Sequence, residues 1–530
     1  MMAEIAKNAK PGIVPCLDTD FVPAVLWDRA FQAAVKASGK AVNVKIVMER
    51  NDQSASVYET ILFGDANEGE FQANLRHVER LVKSMFWIYG GYKVTIAGDQ
   101  RVADAMKAIY DLQNGERKFD SEVMGNIYSN PVEICYTPYE DAPAAKTTAQ
   151  PLGRHLNGCR IGFDLGGSDR KAAAMIDGEV VFSEEIAWDP YFQQDPSYHK
   201  EGILDSLKRA AAHLPRVDAI GGSTAGVIVQ NRVRISSLFR GVPKQDFESK
   251  VANIFLDVAK EMGVPFEIVN DGEVTALAGS MQLNSNSILG VSLGTSMAGG
   301  YVNPDGNITD WLNELAFVPI DYRDGAPADE WSGDLGCGVQ FFSQQGVARL
   351  APLAGIEFPA EMKFPERLIG VQKLMEEGDP RAEKIYRSIG VAFGYTIARF
   401  CDFYPEIKSV LFLGRVTSGK GGDIIQAGRK CHQDPVPRIH GCLRGSGRKD
   451  ETSRSGDRSC VPPHGIIGKR GKTDYETDTC GSCSRHGLPL RRAETDRPRG
   501  SQRRNHSGLF HLRRHPRRLR QSGFHHPQGY

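Results

Sequence analysis

Ile161-Gly-Phe-Asp-Leu-Gly-Gly-Ser-Asp-Arg-Lys171 is the stretch that decides the fold. Apolar residues lead into two glycines and a serine, and a second apolar run follows over Ala172–Ile176. This pattern predicts two strands joined by a tight turn. Because Gly166 and Gly167 lack a Cβ atom, the backbone of the turn can approach a phosphate and direct N–H groups at it. An ordinary hairpin without a ligand is the alternative interpretation.

Asp164 stands near the end of the first predicted strand, two residues before the glycines. Oxygen is the ligand type that Mg²⁺ prefers in proteins, and the ion keeps much of its water shell there. We therefore expect Asp164 to hold a hydrated Mg²⁺ beside the phosphate rather than to contact the phosphate itself.

Charge divides the 530 residues into two unlike parts. Residues 431–530 contain 21 Lys and Arg against 9 Asp and Glu, whereas residues 1–430 contain 44 against 56. The acidic body argues against non-specific nucleic-acid binding. Because no run of 18 apolar residues occurs and the N-terminus lacks the apolar core of a signal peptide, we expect a cytoplasmic protein without a membrane partner.

Hydrophobic periodicity predicts a smaller α/β domain over residues 1–150. Its predicted strands are 41–48, 56–63 and 92–97, and its predicted helices are 70–86 and 104–113. This domain contains no phosphate loop, metal cluster or nucleophile that we recognise, so its role is unassigned. The Pro-, Ala- and Thr-rich segment Asp141–Pro151 predicts a linker and a domain boundary near residue 150.

A repeated order of strands and helices follows, which predicts two lobes that face a cleft. Lobe I is predicted over 151–285 and lobe II over 286–430. In lobe I we expect strands at 159–165, 170–176, 179–187, 217–222 and 266–269, with helices near 200–213 and 244–262 and a helix from 270 onward. In lobe II we expect strands at 287–293, 297–302 and 410–413, with helices near 380–404 and 422–430.

Two further glycine sites lie in lobe II. Leu293-Gly-Thr-Ser-Met-Ala-Gly-Gly300 offers backbone donors and two hydroxyls, and Gly414 follows a buried strand and precedes a predicted helix. Helix N-termini favour phosphate, although the bulky Arg415 stands where close approach is wanted. Three such sites on repeated units predict nucleotide binding. The predicted residues for ATP and Mg²⁺ are Asp164, Gly166, Gly167, Ser168, Gly294, Thr295, Ser296 and Gly414.

Asp271 is the candidate acid–base group. It stands between the strand that ends at Val269 and a helix that begins at Gly272. A carboxylate at the carboxyl end of a parallel strand lies where α/β proteins bind their ligands. The alternative is that Asp271 or Asn270 only caps the helix.

The order Asp164-Leu-Gly-Gly-Ser, Asn270-Asp271-Gly-Glu-Val-Thr-Ala-Leu-Ala-Gly, Leu293-Gly-Thr-Ser and Leu413-Gly-Arg resembles the ROK family of sugar kinases (repressor, open reading frame, kinase). That family belongs to the actin-like ATPase superfamily, and the resemblance covers roughly residues 159–430. It implies an α/β protein with a two-lobed actin-like ATPase (ribonuclease H-like) fold, preceded here by the smaller α/β domain. It also implies a kinase that uses ATP and Mg²⁺, with Asp271 as the base on a sugar hydroxyl.

By the same resemblance, several residues would contact the sugar. Glu314 matches the glutamate of the family's Glu-x-Gly-His motif, and the loop 222–226 matches a sugar loop. The implied sugar-binding residues are Ser223, Asn270, Asp271 and Glu314.

The sequence departs from the family at the zinc motif. Phe317 stands at the position of a histidine that contacts sugar and zinc, and Val339 at the position of a second glutamate. In Glu330-Trp-Ser-Gly-Asp-Leu-Gly-Cys337 only Cys337 remains of the cysteines. Because one thiolate cannot form a tetrahedral site, we predict no zinc. The loss of two sugar contacts also puts glucose in doubt as the substrate.

Residues 431–530 do not continue the pattern of the body, because apolar periodicity stops after Lys430. Cys480-Gly-Ser-Cys483 is typical of a metal or redox site, and the Arg-rich run 490–520 is typical of nucleic-acid binding. A coding sequence compatible with residues 445–463, however, encodes an amphipathic helix when it is read one base later. We therefore interpret residues 431–530 as a basic, disordered or frameshifted tail rather than a domain.

The prediction is thus a glucokinase-like phosphotransferase that transfers phosphate from ATP to the hydroxyl of a small-molecule sugar. The alternative is a non-catalytic sugar- or nucleotide-sensing regulator, which Phe317, Val339 and the extra N-terminal domain motivate. The family's repressors carry an N-terminal helix-turn-helix, which the strand-rich region 41–97 does not resemble, so we expect no nucleic-acid partner. A homodimer is left open.

Overall fold

Alternating apolar and polar residues build a four-stranded sheet in the N-terminal region, which we define as residues 1–137. The computed structural model describes residues 1–404 and 406–419. The strands are β1 Ala41–Glu49, β2 Ala55–Phe63, β3 Lys93–Ala97 and β4 Glu133–Thr137, in the order β2-β1-β3-β4. β1 pairs antiparallel with β2 and β3, and β3 pairs parallel with β4.

This region also has five helices, of which α2, α3 and α4 pack on the sheet: α1 Met2–Asn8, α2 Ala24–Ala37, α3 Glu68–Tyr89, α4 Gln100–Ile109 and α5 Lys118–Tyr128. A capping box between Asn67 and Glu70 begins α3, and Gly90, at φ 72°, ends it. The strands and helices predicted for this region are confirmed. α4 begins four residues earlier than predicted, where the Asp99 side chain accepts a hydrogen bond from the N–H of Val102.

Lobe I is built from strands and helices between residues 159 and 270. Its strands are β6 Cys159–Leu165, β7 Asp169–Ile176, β8 Glu179–Ala187, β9 Ala219–Thr224, β10 Val227–Val229, β11 Arg232–Ile235 and β12 Phe266–Asn270; β5, Ala149–Gln150, precedes them. Its helices are α6 Ser197–Ala211, α7 Lys244–Asp246 and α8 Ile254–Met262. The helix predicted near 244–262 is thus interrupted, by a π-helical turn over Phe247–Val251.

The main sheet of lobe I has the order β12-β9-β6-β7-β8. β7 runs antiparallel to β6 and β8, whereas β9 and β12 run parallel to β6. If only the five strands of this sheet are numbered along the chain, the order is 3-2-1-4-5 with strand 2 reversed, which is the ribonuclease H-like topology. The predicted fold class is therefore confirmed for this lobe.

Lobe II repeats the beginning of this arrangement. Its elements are α9 Asp271–Leu283, β13 Ile288–Leu293, β14 Met297–Val302, β15 Ile308–Thr309, α10 Val339–Phe342, α11 Gln344–Leu353, α12 Phe364–Glu376, α13 Pro380–Phe403 and β16 Ser409–Leu413. The sheet order is β16-β13-β14-β15-β5, with β13 antiparallel to β14 and parallel to β16. The helix predicted near 422–430 and the tail 431–530 lie outside the described residues.

The N-terminal region and lobe II share one continuous hydrophobic core, whereas lobe I has a core of its own. Trp87 of α3 stacks on Phe317 with ring centroids 4.1 Å apart, and the hydroxyl of Tyr89 donates to the carbonyl of Phe403. β5, which lies inside the segment predicted as a linker, also pairs with β15 of lobe II. The domain boundary near residue 150 stays a prediction. Residues before and after it belong to the same hydrophobic core.

None of the helices in the described residues combines the length and the apolar character that crossing a membrane requires.

Candidate active site

Three parallel strands of lobe I end side by side and bring the predicted lobe I residues together. Asp164 of β6 lies opposite Ser223 of β9, and Thr224 of β9 lies opposite Asn270 of β12. Because the carboxyl ends of parallel strands meet at one edge of a sheet, Asp164, Ser223 and Asn270 share the edge where such folds bind ligands.

Asp164 has two partners at this edge. The Ser223 hydroxyl donates to its Oδ1 at 2.6 Å, and the Lys171 Nζ lies 3.6 Å from its Oδ2. Ser223, implied as a sugar contact, is thus buried and supports Asp164. Burial acts to lower the pKa of Lys171, but the carboxylates of Asp169 and Asp164 outweigh it and raise that pKa. Asp164 is only partly buried and already has a cation beside it.

The first glycine turn is ordered by neighbouring aromatic side chains. The Gly166 N–H donates to the Asp169 carbonyl at 2.9 Å, and the Trp188 Nε1–H donates to the Gly166 carbonyl at 2.7 Å. A Cβ atom at Gly167 would collide with the Tyr191 hydroxyl. Ser168 is exposed, and its hydroxyl donates to Asp169. A larger residue at position 167 would therefore have to displace the Tyr191 side chain, independently of any phosphate.

Asp271 is the first residue of α9, and Asn270 caps that helix. The Asn270 Oδ1 accepts from the Gly272 N–H at 2.7 Å, and its Nδ2 donates to the Gly226 carbonyl at 2.7 Å. Asn270 therefore caps the helix, and the Asp271 side chain is exposed. A Cβ atom at Gly272 would collide with the Gly299 carbonyl oxygen of β14, so α9 lies directly on the lobe II sheet. Asp271 consequently stands at the junction of the two lobes.

Glu314 is brought next to Asp271 by the N-terminal region. Its backbone N–H donates to the Trp87 carbonyl at 2.9 Å, at the end of α3. Burial raises the pKa of Glu314 to about 7, and the negative charge of Asp271 adds to that rise. Burial also raises the pKa of Glu273 to about 8, with Asp310 and Glu314 contributing. Both carboxyl groups are therefore partly protonated near neutral pH.

A cavity of about 130 Å³ lies beside these groups, and all three parts of the chain line it. This volume is well below the roughly 300–1,000 Å³ of drug-sized ligand pockets, so the cavity is too small to enclose a nucleotide. Its polar lining comprises Arg50, Asn51, Asp52, Tyr128, Gln230, Arg234, Glu267, Asn270, Glu273, Thr309, Asp310, Trp311 and Glu314.

The second and third glycine sites adjoin each other at the edge of the lobe II sheet. Ser292 lies opposite Leu413 in the parallel pair β13–β16, and Gly414, at φ 110°, packs on the backbone of Leu293. The Gly294 N–H donates to the Ser296 carbonyl at 2.9 Å. A Cβ atom at Gly294 would meet nothing within 4 Å among the described residues, and Thr295 and Ser296 are exposed. Among the described residues, the space beside Gly294 is therefore open.

The positions of the missing zinc motif are filled by packing. Phe317 stacks on Trp87, and Val339 is buried in α10. Cys337 is fully buried, and burial raises the pKa of its thiol. Among the described residues, no group of three or more His, Cys, Asp or Glu side chains is arranged to hold a metal ion. The absence of zinc stays a prediction that these substitutions motivate.

Several lining residues were not predicted from the sequence. Glu273 had a local signal, because it stands three residues after the helix cap Asn270, as in a capping box. Arg50, Thr309 and Asp310 had no local sequence signal, because only the packing of the N-terminal region on lobe II brings them to one cavity.

The sequence matches no protein-family model, and no curated protein matches it. Among solved structures, a ROK family transcriptional regulator, a homologue of the E. coli MLC protein, matches with a TM-score of 0.44 and 19% identity over 54% of this chain and 72% of the regulator. A ROK hexokinase from Thermus thermophilus matches with a TM-score of 0.41 and 20% identity, over 52% of this chain and 89% of the hexokinase. A ROK family glucokinase from Streptomyces griseus, in complex with glucose and AMPPNP, matches with a TM-score of 0.36 and 19% identity. The match covers 52% of this chain and 88% of the glucokinase. These likenesses assign no activity to the chain.

Proposed function

We propose that the chain is an ATP-dependent sugar kinase, with Asp271 as the general base on the acceptor hydroxyl. One observation carries the proposal. Asp271 begins α9 at the junction of the lobes, within electrostatic range of Glu314, and its chain neighbour Asn270 and Glu314 both line a cavity of about 130 Å³.

Phosphoryl transfer asks little covalent chemistry of a protein. The acceptor must be aligned, its proton accepted, and the developing charge neutralised. In this proposal Asn270 and Glu314 orient the sugar, and the carboxylate of Asp271 takes the proton of the attacking hydroxyl.

The residues at the glycine turns fit a nucleotide and a metal ion. The open turn at Gly294 can admit a phosphate, with the exposed hydroxyls of Thr295 and Ser296 beside it. The partly exposed Oδ2 of Asp164 can hold Mg²⁺ through water. When bound, ATP and Mg²⁺ supply the phosphoryl group and neutralise its charge.

A second candidate is a non-catalytic sugar or nucleotide sensor. The specific observation in its favour is the Lys171 ammonium, which lies 3.6 Å from Asp164 where a metal ion would compete with it.

A coupled assay of ADP release separates the two candidates. With ATP and Mg²⁺ present, D-glucose, D-mannose and D-glucosamine are each added to the full chain. The kinase proposal expects ADP release that depends on one of these sugars and stops with EDTA. A sugar-induced rise in melting temperature without ADP release would favour the sensor and contradict the kinase.

A further inference from the structure

The carboxyl group of Glu314 is held at the candidate site by its backbone alone. Glu314 lines the cavity, and its carboxyl group has no hydrogen-bond partner in the part of the chain that the structure describes. Its charged neighbours, Asp271 and Glu273, are both carboxyl groups, so neither fixes it by attraction. The position of the Glu314 carboxyl group therefore depends on how the protein holds the backbone at residues 313 and 314.

The C-terminal end of α3, in the N-terminal region, holds that backbone. The last four carbonyl groups of a helix have no partner within the helix and need one from elsewhere. The Ile88 carbonyl accepts from the Asn313 N–H at 2.9 Å, and the Trp87 carbonyl accepts from the Glu314 N–H at 2.9 Å. Two successive N–H groups of lobe II thus satisfy the end of a helix from the N-terminal region.

Asn313 is fixed on every side. Its backbone has φ 52°, in the left-handed region that asparagine tolerates better than most residues with a side chain. The residue is 1% exposed, and its Oδ1 accepts from the Tyr404 hydroxyl at 2.7 Å. Its carbonyl accepts from the Gly299 N–H of β14 at 3.0 Å. Asn313 is therefore bonded to α3, to the lobe II sheet and to the residue that follows α13.

Tyr404 is itself held in place. Its N–H donates to the Phe400 carbonyl at 2.8 Å, and its ring packs on Tyr301 and Trp311, with centroids 5.1 and 5.5 Å away. Tyr89, the last residue of α3, donates its hydroxyl to the carbonyl of the residue before Tyr404. The end of α3, Asn313 and Tyr404 thus form one connected, preorganised unit.

We propose that Asn313 is a positioning residue for Glu314, and that the C-terminal end of α3 gives the N-terminal region a part in orienting the acceptor. The inference rests on the proposed function, in which Glu314 orients the sugar. Asn313 does not line the cavity and acts through the backbone that it shares with Glu314. The N-terminal region, which contains no motif that we recognise, is then part of the site.

Thermal melts at two pH values test the positioning without any substrate. Burial and the charge of Asp271 raise the pKa of Glu314 from 4.5 to about 7. The stability that the neutral carboxyl group contributes is present below pH 4.5 and is lost as the pH rises through about 7. Glu314→Gln should therefore match the wild type near pH 5 and melt a few degrees higher near pH 9.

Tyr404→Phe removes the hydrogen bond to Asn313 and should loosen this backbone. In the Tyr404→Phe background, the gain that Glu314→Gln gives near pH 9 should fall by about half or more, because the carboxyl group reaches water. In the ADP assay, Tyr404→Phe should raise the KM of whichever of D-glucose, D-mannose and D-glucosamine is active at least about threefold, and leave the KM for ATP unchanged.

Asn313→Gly is the second variant. Glycine keeps the left-handed backbone without strain but loses the bond to Tyr404. It should reproduce both effects of Tyr404→Phe, and the two substitutions combined should do no more than either alone, since they remove the same hydrogen bond.

Tyr395→Phe is the matched control. Tyr395 is buried in α13, and its hydroxyl accepts from the Ile13 N–H at 3.1 Å, so this variant also loses a bond between lobe II and the N-terminal region. It should keep the full gain near pH 9 and the KM of the wild type for the sugar.

The outcomes separate the positioning role from the kinase. No gain near pH 9 for Glu314→Gln in the wild type, a full gain in both the Tyr404→Phe and Asn313→Gly backgrounds, or equal changes with Tyr395→Phe would overturn the positioning role. So would an unchanged KM for the sugar in both variants. The expected melts, without sugar-dependent ADP release by the wild type, would overturn only the kinase.

Discussion

Neighbouring carboxyl groups at the candidate site differ in how far they are buried. Burial raises the pKa of Glu314 to about 7 and that of Glu273 to about 8, so each can donate a hydrogen bond to a sugar oxygen near neutral pH. Asp271, by contrast, is exposed and is the first residue of α9. One group suited to accept a proton thus stands beside others suited to orient the acceptor.

Glu273→Gln tests this burial through the pH dependence of stability. Because the folded state raises the pKa of Glu273 from 4.5 to about 8, its contribution to stability is present below pH 4.5 and is lost as the pH rises through about 8. Glutamine stays neutral throughout. In thermal melts the variant should match the wild type near pH 5 and exceed its melting temperature by a few degrees near pH 9.

Glu179→Gln serves as the control, because Glu179 is exposed. Its difference in melting temperature from the wild type should be the same at both pH values. If the melting temperatures of Glu273→Gln and the wild type differ by the same amount at both pH values, the Glu273 carboxyl group is solvated in the folded protein.

At the scale of elements, α9 joins the two lobes. It begins at the ligand-binding edge of lobe I and packs on the lobe II sheet through glycines, with Gly272 against Gly299 and Gly290 against Ala276. These backbone contacts leave no room for side chains. They fix the position of Asp271 at the first turn of the helix.

Gly272→Ala should therefore destabilise the protein by about 1–3 kcal/mol, since its Cβ would collide with the Gly299 carbonyl oxygen. Turnover should fall as well, because the shift moves Asp271. Urea denaturation and the ADP assay measure the two effects. In Gly202→Ala of α6 the new Cβ meets the Trp188 ring at 3.5 Å and the Arg170 Nε at 3.7 Å, both ordinary contacts, and the substitution should stabilise the protein by up to about 1 kcal/mol. Equal effects of the two substitutions would contradict the tight packing of α9.

The glycine turns could be predicted from the sequence because their signals are local. β6, β8 and β14 have the predicted bounds, and both hairpins contain their glycines at the turn. The cavity lined by Arg50, Thr309 and Trp311 could not be predicted in this way. Residues about 260 positions apart meet there only because α3 and its sheet pack on lobe II, and no short pattern encodes that contact.

At the scale of the whole molecule, buried ion pairs connect the N-terminal region to lobe II. Asp334 lies 3.2 Å from the Lys83 Nζ, 3.3 Å from Arg80 and 2.5 Å from Arg117. Burial acts to raise the pKa of Asp334, but Arg80 and Lys83 outweigh it and hold that pKa below its ordinary value. These pairs hold Asp334, in the loop that precedes α10, against α3 and Arg117 of the N-terminal region.

Asp334→Ala should destabilise the protein by about 3–5 kcal/mol, because it leaves buried cations without their shared partner. Urea denaturation followed by tryptophan fluorescence reports the loss. Asp324→Ala is the control, since the Asp324 side chain is fully exposed and its ion pair with Arg76 should contribute little. A loss below about 1 kcal/mol for Asp334→Ala would show that the two parts do not depend on this network.

The most direct test of the proposed chemistry is the turnover of Asp271→Asn in the assay of sugar-dependent ADP release, with Asp324→Asn as the control. Because Asp271 is the proposed base, kcat should fall by about 10²–10⁴-fold while the Kd for ATP stays that of the wild type. A variant that keeps kcat within twofold of the wild type would contradict the role of Asp271 and the function proposed from it.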